Sequence, residues 1–306
     1  MSRLIDDIRG GALMMPWFVA PGLMTSWDDY CARVCDQLRK EVPVVLIDNV
    51  AQFYFSSEQE YWSVEKDFPN VAPPYPQFWC EHKMPKRIHS GEKGDTDLTE
   101  LVASGRIGVL VTAIPPESAK YSGEMPATTK WILWCEVFID YGQRGIAAQG
   151  PHGSIFMLVD EHGAILDKPW MQAYDGGKYT GVMRNLMTFT HPTLLAITFL
   201  HCRNVTVVDN PVPPKLARRY RERHEGRAPA AHKTLIIEPL KSVLRKEGRS
   251  GEVGIQKAMH ICRGHFKDYR EGRGLFGKYH QLVWQPMLVR GTKGETPPPR
   301  EIKVKV

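Results

Sequence analysis

Three runs decide the fold of this chain: Arg106-Ile-Gly-Val-Leu-Val-Thr-Ala-Ile114, Trp131-Ile-Leu-Trp-Cys-Glu-Val-Phe-Ile-Asp140 and Ser154-Ile-Phe-Met-Leu-Val159. Each has strand length and is rich in β-branched and aromatic residues. The last turns at Asp160-Glu-His-Gly163, typical hairpin chemistry, into Ala164–Leu166. Upstream, Val44–Ile47 is a short apolar run consistent with a buried strand, and Pro43 is tolerated at its entry because no ladder donor is needed there. Ala72-Pro-Pro-Tyr-Pro-Gln77 reads as a rigid extended connector into a strand at Phe78–His82. Residues 25–40 predict a helix. Ser26 is placed to cap it, Asp28 and Asp29 sit in its first turn, and Trp27, Cys31, Val34 and Leu38 recur at helical spacing.

Residues 181–202 read as a second helical region, with Met183, Leu186, Met187, Leu194, Leu195 and Leu200 on its core side. Pro192 is expected to break or kink it. The methionines are read as packing rather than as a cofactor pocket. Ser90–Thr99 and Pro115–Thr129 are polar, carry Gly or Pro, and read as surface loops. The expected class is α+β: a mixed or antiparallel sheet with flanking helices in residues 1–210, and a smaller basic β-containing module in residues 211–306.

The boundary between them is set at Pro211-Val-Pro-Pro214. After it come the dense basic segment Lys215-Leu-Ala-Arg-Arg-Tyr-Arg-Glu-Arg-His224 with Arg218 and Arg219, a strand at Thr234–Ile237, and a polar basic excursion at Lys241–Gly251. Thr234–Ile237 is able to add to the first sheet, so the two regions are allowed to share one core. The tail from Thr292 to Val306, with Pro297-Pro-Pro299, is expected to be exposed.

Composition sets the outer limits. A chain of 306 residues with 42% hydrophobic content buries one large core or two ordinary ones. Net charge is +6 overall but unevenly divided. Residues 211–306 hold 22 Lys and Arg against 9 Asp and Glu, a net of +13, whereas residues 1–210 hold 18 against 25, a net of −7. An acidic body joined to a strongly basic region points to contact between the C-terminal third and a polyanion.

The six cysteines form no Cys-x-x-Cys, which removes support for a zinc ribbon or a thioredoxin-type motif. The N-terminal Met1-Ser-Arg-Leu-Ile-Asp-Asp7 carries acids where a secretory signal carries base, and the longest apolar stretch, Leu194–Leu200, is too short to cross a bilayer. A cytoplasmic protein without a membrane partner is expected.

Polar chemistry is densest at His260-Ile-Cys-Arg-Gly-His-Phe-Lys-Asp-Tyr269, followed by Leu275-Phe-Gly-Lys-Tyr-His280 and Trp284. With Lys257–Tyr269 taken as one strand, Arg263, His265, Lys267 and Tyr269 share a face, opposite His260, Cys262, Gly264 and Phe266. Arg offers a fork and Lys a point charge for phosphate, while His and Tyr donate hydrogen bonds and transfer protons. A loop at Gly272–Gly277 brings Lys278 and His280 back to this face, and a second strand at Leu282–Val289, with Pro286 marking an edge, closes a hairpin.

Two functions follow. In the first, Arg263, Lys267, Tyr269, Lys278, Trp284, Arg218 and Arg219 bind nucleic acid, RNA favoured over DNA, with Tyr269, Tyr279 or Trp284 stacking on bases. In the second, a metal-independent ribonuclease, His265 or His280 acts as base and Arg263 with Lys267 or Lys278 stabilises the phosphorane. Binding ranks first because it needs less exact geometry.

His260, Cys262 and His265 do not converge on a metal from a single strand, so neither metal nor cofactor is expected. Glu81, Glu136, Asp140 and Asp160 have no diagnostic spacing as a carboxylate site. Walker-type, dinucleotide-binding, Gly-x-Ser-x-Gly and His-Glu-x-x-His motifs do not occur.

Pro211–Pro214, the basic segment 215–227 with Gly226-Arg-Ala-Pro229, the strand Thr234–Ile237, His260-x-x-Arg-Gly-His-Phe-x-x-Tyr269, Leu275-Phe-Gly-Lys278, Trp284 and Arg290-Gly291 form one series. This series resembles uncharacterised proteins of tailed bacteriophages and prophages. It covers roughly the last hundred residues, with a weaker echo at Pro73–Glu81. The resemblance implies a phage or mobile-element origin and a bacterial cytoplasmic setting, and it implies no reaction. A third function class follows from that setting: docking of a host protein through the acidic body.

Overall fold

The computed structural model describes residues 3–14, 27–40, 42–56, 67–83, 105–118, 125–142, 148–173, 180–223, 228–237, 260–262, 265–272, 274, 280–285 and 288–290. Its centre is a mixed sheet. Strands β1 (Leu13–Met14), β2 (Val44–Leu46), β3 (Gln77–Lys83), β4 (Arg106–Ile114), β5 (Thr129–Asp140), β6 (Ala148–Gln149), β7 (Gly153–Asp160), β8 (Trp170–Ala173), β9 (Val205–Asn210) and β10 (His232–Ile237) all join it. The spatial order is β1-β6-β5-β4-β3-β2-β10-β9, with β7 and β8 continuing from β5. Strands β3, β4, β5, β7 and β8 run antiparallel each to the next, whereas β2 lies parallel to both β3 and β10. The class is α+β, as the strand runs predicted.

Helices α1 (Leu4–Arg9) and α2 (Trp27–Arg39) cover one face. Leu4, Ile5 and Ile8 of α1 and Tyr30, Val34, Cys35 and Leu38 of α2 pack there on Trp79, Leu110 and Phe138. Helices α3 (Asp48–Ser56) and α4 (Thr180–Leu200) cover the other face, over Phe78, Cys80, Val109, Val111, Leu133, Cys135, Val137 and Met157. Because both faces are covered, β4 is buried from Arg106 to Val111 without alternation. Its sequence is correspondingly a continuous apolar run.

Helix α4 passes through Pro192 unbroken. Proline removes one main-chain donor at a cost of about 3 kcal/mol. Leu186, Phe189, Leu194, Leu195, Ile197 and Phe199 are all buried within the helix, and packing of that extent outweighs the lost bond. No helix among the described residues is long and apolar enough to cross a membrane.

The segment after Pro211 returns to the same sheet. Helix α5 (Pro214–Arg223) leads from edge strand β9 back to β10, which lies between β2 and β9 and places Leu235 in the core under α4. Residues 232–237 are therefore part of the sheet of the first region.

The C-terminal hairpin forms as two short pairs: β11 (His260–Cys262) with β14 (Leu288–Arg290), and β12 (His265–Asp268) with β13 (Leu282–Gln285). One strand was expected at 257–269 and another at 282–289. The second is described over Leu282–Gln285 and Leu288–Arg290, with residues 286 and 287 outside the described residues. The inner pair is fixed to the body by Asn204, only 1% exposed. Its amide donates to the Trp284 carbonyl at 3.0 Å, and its Oδ1 accepts from the Trp284 N–H at 3.1 Å.

The expected turn after β7 is present. Asp160 Oδ1 accepts from the N–H groups of His162 and Ala164 at 2.9 and 2.8 Å, and Gly163 adopts φ +84°. Ala164–Leu166 contributes a single bridge, Val159 to Ile165, rather than a strand. Ser26, Met183, Ser90–Thr99, Lys241–Gly251 and the 292–306 tail fall outside the described residues or side chains.

One glycine is required by close approach. The Trp79 indole, fully buried, lies across Gly108 so that its Nε1 donates to Glu81 at 3.1 Å. A Cβ on Gly108 would come within 2.0 Å of Trp79 Cζ2. Gly108→Ala is expected to destabilise the fold by about 3 kcal/mol, the upper range for forcing a methyl into a packed core. Urea unfolding monitored by tryptophan fluorescence checks this, and an unchanged midpoint would refute the packing argument.

Candidate functional site

Among the described residues, those named from the sequence do not gather at one place. Arg263, Lys278 and Tyr279 lie outside the described residues, as do the side chains of His260 and Cys262. His265 is exposed on β12, and Lys267 and Tyr269 are half-buried. Phe266 faces inward as the alternation predicted, with its ring 4.6 Å from that of Trp284 and 5.3 Å from that of Phe199. Trp284 is a core residue, not a stacking platform. It is 6% exposed and meets Phe53 and Phe199 edge-on at 5.4 and 5.2 Å.

His265 and His280 are also separated. Leu282 pairs with Asp268, the Tyr269 N–H donates to the Gln281 carbonyl, and His280 Nδ1 lies 3.3 Å from the Arg270 carbonyl. Five residues of extended chain put His265 and His280 about 16 Å apart, too far to act on one phosphate.

Among the described residues, the fold brings together Asn70, His201, Arg203, Arg270, His280 and Gln281 around a shallow, open cleft of about 350 Å³. His201 and Arg203 stand in the turn between α4 and β9. That turn is fixed by bonds from the His201 and Cys202 N–H groups to the Thr198 and Phe199 carbonyls, and from Arg203 N–H to Leu282 O.

Arg270 fastens the other side. Its guanidinium forks onto Asp268 at 2.7–3.1 Å, donates to the His162 carbonyl at 2.7 Å and reaches the Pro69 carbonyl at 3.4 Å. The hydrogen bonds from Arg270 hold the Asp268 carboxyl below the usual carboxylate range. Asn70 Oδ1 accepts from Ala72 N–H at 3.0 Å, and a Cβ on Gly163 would meet that oxygen at 1.9 Å.

Both cleft histidines have a set tautomer when neutral, because a carbonyl only accepts. His280 donates through Nδ1 to Arg270 O, and His201 donates through Nε2 to Ala72 O at 2.8 Å. Burial lowers the His201 pKa, and the charge of Arg270 adds to that, against the pull of the Ala72 carbonyl. His201, Arg203 and Arg270 were not singled out from the sequence. Arg270 directly follows the named Tyr269, and His201-Cys-Arg203 marks the end of α4. These positions were visible, but nothing local joined them.

A second basic surface lies on α5. Lys215, Arg218, Arg219 and Arg221 are exposed. Glu222 lies 3.7 Å from Arg218, an exposed pair that contributes little. Arg9 at the end of α1 donates to the Leu38 and Lys40 carbonyls, and Arg39 at the end of α2 donates to the Arg9 carbonyl.

The carboxylates do not converge. Glu81 is bound by Arg106, Trp79 and the start of α1. Glu136 accepts from the Tyr30 hydroxyl at 2.9 Å, and burial pushes its pKa up to about 7. Asp140 and Asp160 each hold the main chain of their own turn. No protein-family model, curated protein or solved structure matches this chain.

Proposed function

We propose that the protein binds nucleic acid, with RNA the preferred strand, through the cationic surface contributed by the region after residue 210. The observation that carries this reading is α5. Four cations, Lys215, Arg218, Arg219 and Arg221, are exposed within seven residues, with Glu222 the one acid among the described side chains of the helix. A helix of that composition presents its charge to solvent, where it releases counterions from a polyphosphate on contact. The net +13 of residues 211–306 supports the same reading. The proposal includes a phage or prophage setting in a bacterial cytoplasm, supported by the resemblance of the last hundred residues alone.

The test is a salt series with labelled single-stranded RNA and DNA on the full chain. Affinity is expected to fall steeply from 50 to 200 mM salt. Arg218→Ala/Arg219→Ala is expected to reduce the slope of log K against log salt by about 1.4, two contacts at roughly 0.7 each. Absence of binding at low salt, or a slope unchanged in the double variant, overturns the proposal.

A further inference from the structure

We propose that the chain forms a two-fold dimer in which the outer edge of β9 pairs with β9 of a second copy, joining the two sheets into one. The proposal does not rest on the nucleic-acid reading above. Strand β9 ends the spatial order of the sheet and pairs with β10 alone among the described strands.

The local bonding shows which main-chain groups face outward. Asn210 Nδ2 donates to the Val208 carbonyl and to Thr234 Oγ1, both at 3.1 Å, which places that carbonyl on the β10 side. Alternation along an antiparallel strand then turns the main-chain groups of Val205, Val207 and Asp209 away from β10. The Val205 N–H is taken by the Cys202 carbonyl at 3.3 Å. Among the described residues, no backbone–backbone bond outside the β9–β10 ladder involves residues 206–210. Val207 and Asp209 therefore present their N–H and C=O groups to a further strand.

Natural sheets guard such an edge with lysine, proline or a bulge. The sequence of β9, Val205-Thr-Val-Val-Asp-Asn210, has neither lysine nor proline, and its register with β10 is unbroken. Its four successive β-branched residues favour the strand state. The one charge, Asp209, is matched within the chain by Lys233. Val207 is 39% exposed, an open apolar side chain on the face that places the opposite residue, Leu235, in the core under α4.

The occupant is a second copy because the strand is complementary to itself. A two-fold axis normal to the sheet at Val207 sets this valine beside the partner's Val207, Thr206 beside the partner's Val208, and Val205 beside the partner's Asp209. The exposed valine is thereby covered, and no two like charges are opposed. A charged peptide would find along this edge only Asp209, already paired, to recognise. Antiparallel pairing also keeps the α5 cations apart. Asn210 lies three residues from the axis, about 10 Å by strand rise, so the two copies of it stand about 20 Å apart with each α5 beyond. That separation is more than twice the screening length of about 8 Å at physiological ionic strength.

Sedimentation velocity on the full chain between 1 and 100 µM tests the pairing. A dimer with a micromolar dissociation constant is expected, as suits a small interface. Its affinity is expected to change less than about threefold between 100 and 500 mM salt, because no unpaired charge lies along the edge. Val207→Pro removes an outward N–H without taking a donor from the β9–β10 ladder. Val207→Lys sets two like charges side by side at the axis. Both are expected to weaken the dimer at least tenfold with circular dichroism unchanged, whereas Val207→Thr stays dimeric. Because the Val207 side chain is exposed, the lysine variant keeps the test open even where the proline variant unfolds. A dimer untouched by Val207→Lys overturns the proposal. A wild-type monomer at 100 µM also overturns it, and leaves the edge to a strand of a different protein.

Discussion

Glu81→Ala is expected to destabilise the protein by about 3–5 kcal/mol, the range for removing one partner of a buried ion pair. Glu81 is fully buried, and its two oxygens are completely employed. Oε1 accepts from Leu4 N–H at 3.0 Å and from Arg106 Nε, and Oε2 accepts from Ile5 N–H and Trp79 Nε1, both at 3.1 Å. The substitution leaves a buried guanidinium and two orphaned N–H groups at the start of α1, each of which carries its own desolvation cost.

Asp48, whose Oδ1 lies 3.6 Å from Arg106 Nη2, does not replace Glu81, because it is half-exposed and water screens its charge. Urea unfolding measures the loss. A double-mutant cycle with Arg106→Ala is expected to show a coupling of about 2 kcal/mol or more, since the second change removes the stranded cation. Additive losses in the cycle would sink the argument that the pair acts as a unit.

This network also marks where the sequence stops being readable. Strands β4, β5 and β7 were legible because apolar residues fill strand-length runs, and the bounds of β4 agree to the residue. The apolar stripe of α2 was legible in Val34 and Leu38. It missed Tyr30, whose place depends on a partner far along the chain, Glu136, which accepts from its hydroxyl. Pro192 does not break α4, because local propensity was overruled by burial of the whole helix.

The site was less legible than the fold. Period-two alternation placed Phe266 inward correctly, yet the same strand logic left Trp284 free to stack, although it fills the core under Phe199. The cleft joins residues 70, 201–203, 270 and 280–282, which are far apart in the sequence. Spacing within a sequence carries no information about such a meeting. Only the docking of β13 onto Cys202 and Asn204 creates it.

Acidification is expected to unfold the protein between pH 6.5 and about 4, with the largest loss of stability of any change considered. Three histidines are held neutral by burial. The pKa of His82 is lowered to about 4, that of His152 to about 3 and that of His191 to about 4, from an ordinary 6.5. Tyr54 meets His191 Nδ1 at 2.7 Å and Tyr141 meets His152 Nε2 at 2.9 Å, but neither hydroxyl supplies a negative charge to favour an imidazolium. For each ring the unfolded state takes a proton that the folded state refuses, so stability rises with pH across the window.

Glu136 works in the opposite sense. Its folded pKa of about 7 lies above the ordinary 4.5, so the folded state holds a proton that the unfolded state has released, and stability falls with rising pH from 4.5 to 7. Three rings against one carboxyl leave a net uptake of two protons on unfolding between pH 4.5 and 6.5, a slope of about 2.7 kcal/mol per pH unit. Stability therefore climbs with pH and levels off above about pH 7, where the histidine and Glu136 contributions cancel. The accumulated loss toward pH 4 is on the order of 5 kcal/mol or more, comparable to the whole stability of many domains.

Urea midpoints measured from pH 4.5 to 8 give the slope directly. His191→Asn keeps a polar side-chain amide beside Tyr54 while removing the titration, and it is expected to cut the acid slope by about one proton, or 1.4 kcal/mol per pH unit. A slope unchanged by that substitution would remove His191 from the set. A stability that rises from pH 6.5 to 4.5 would show that the buried carboxyl outweighs the three rings.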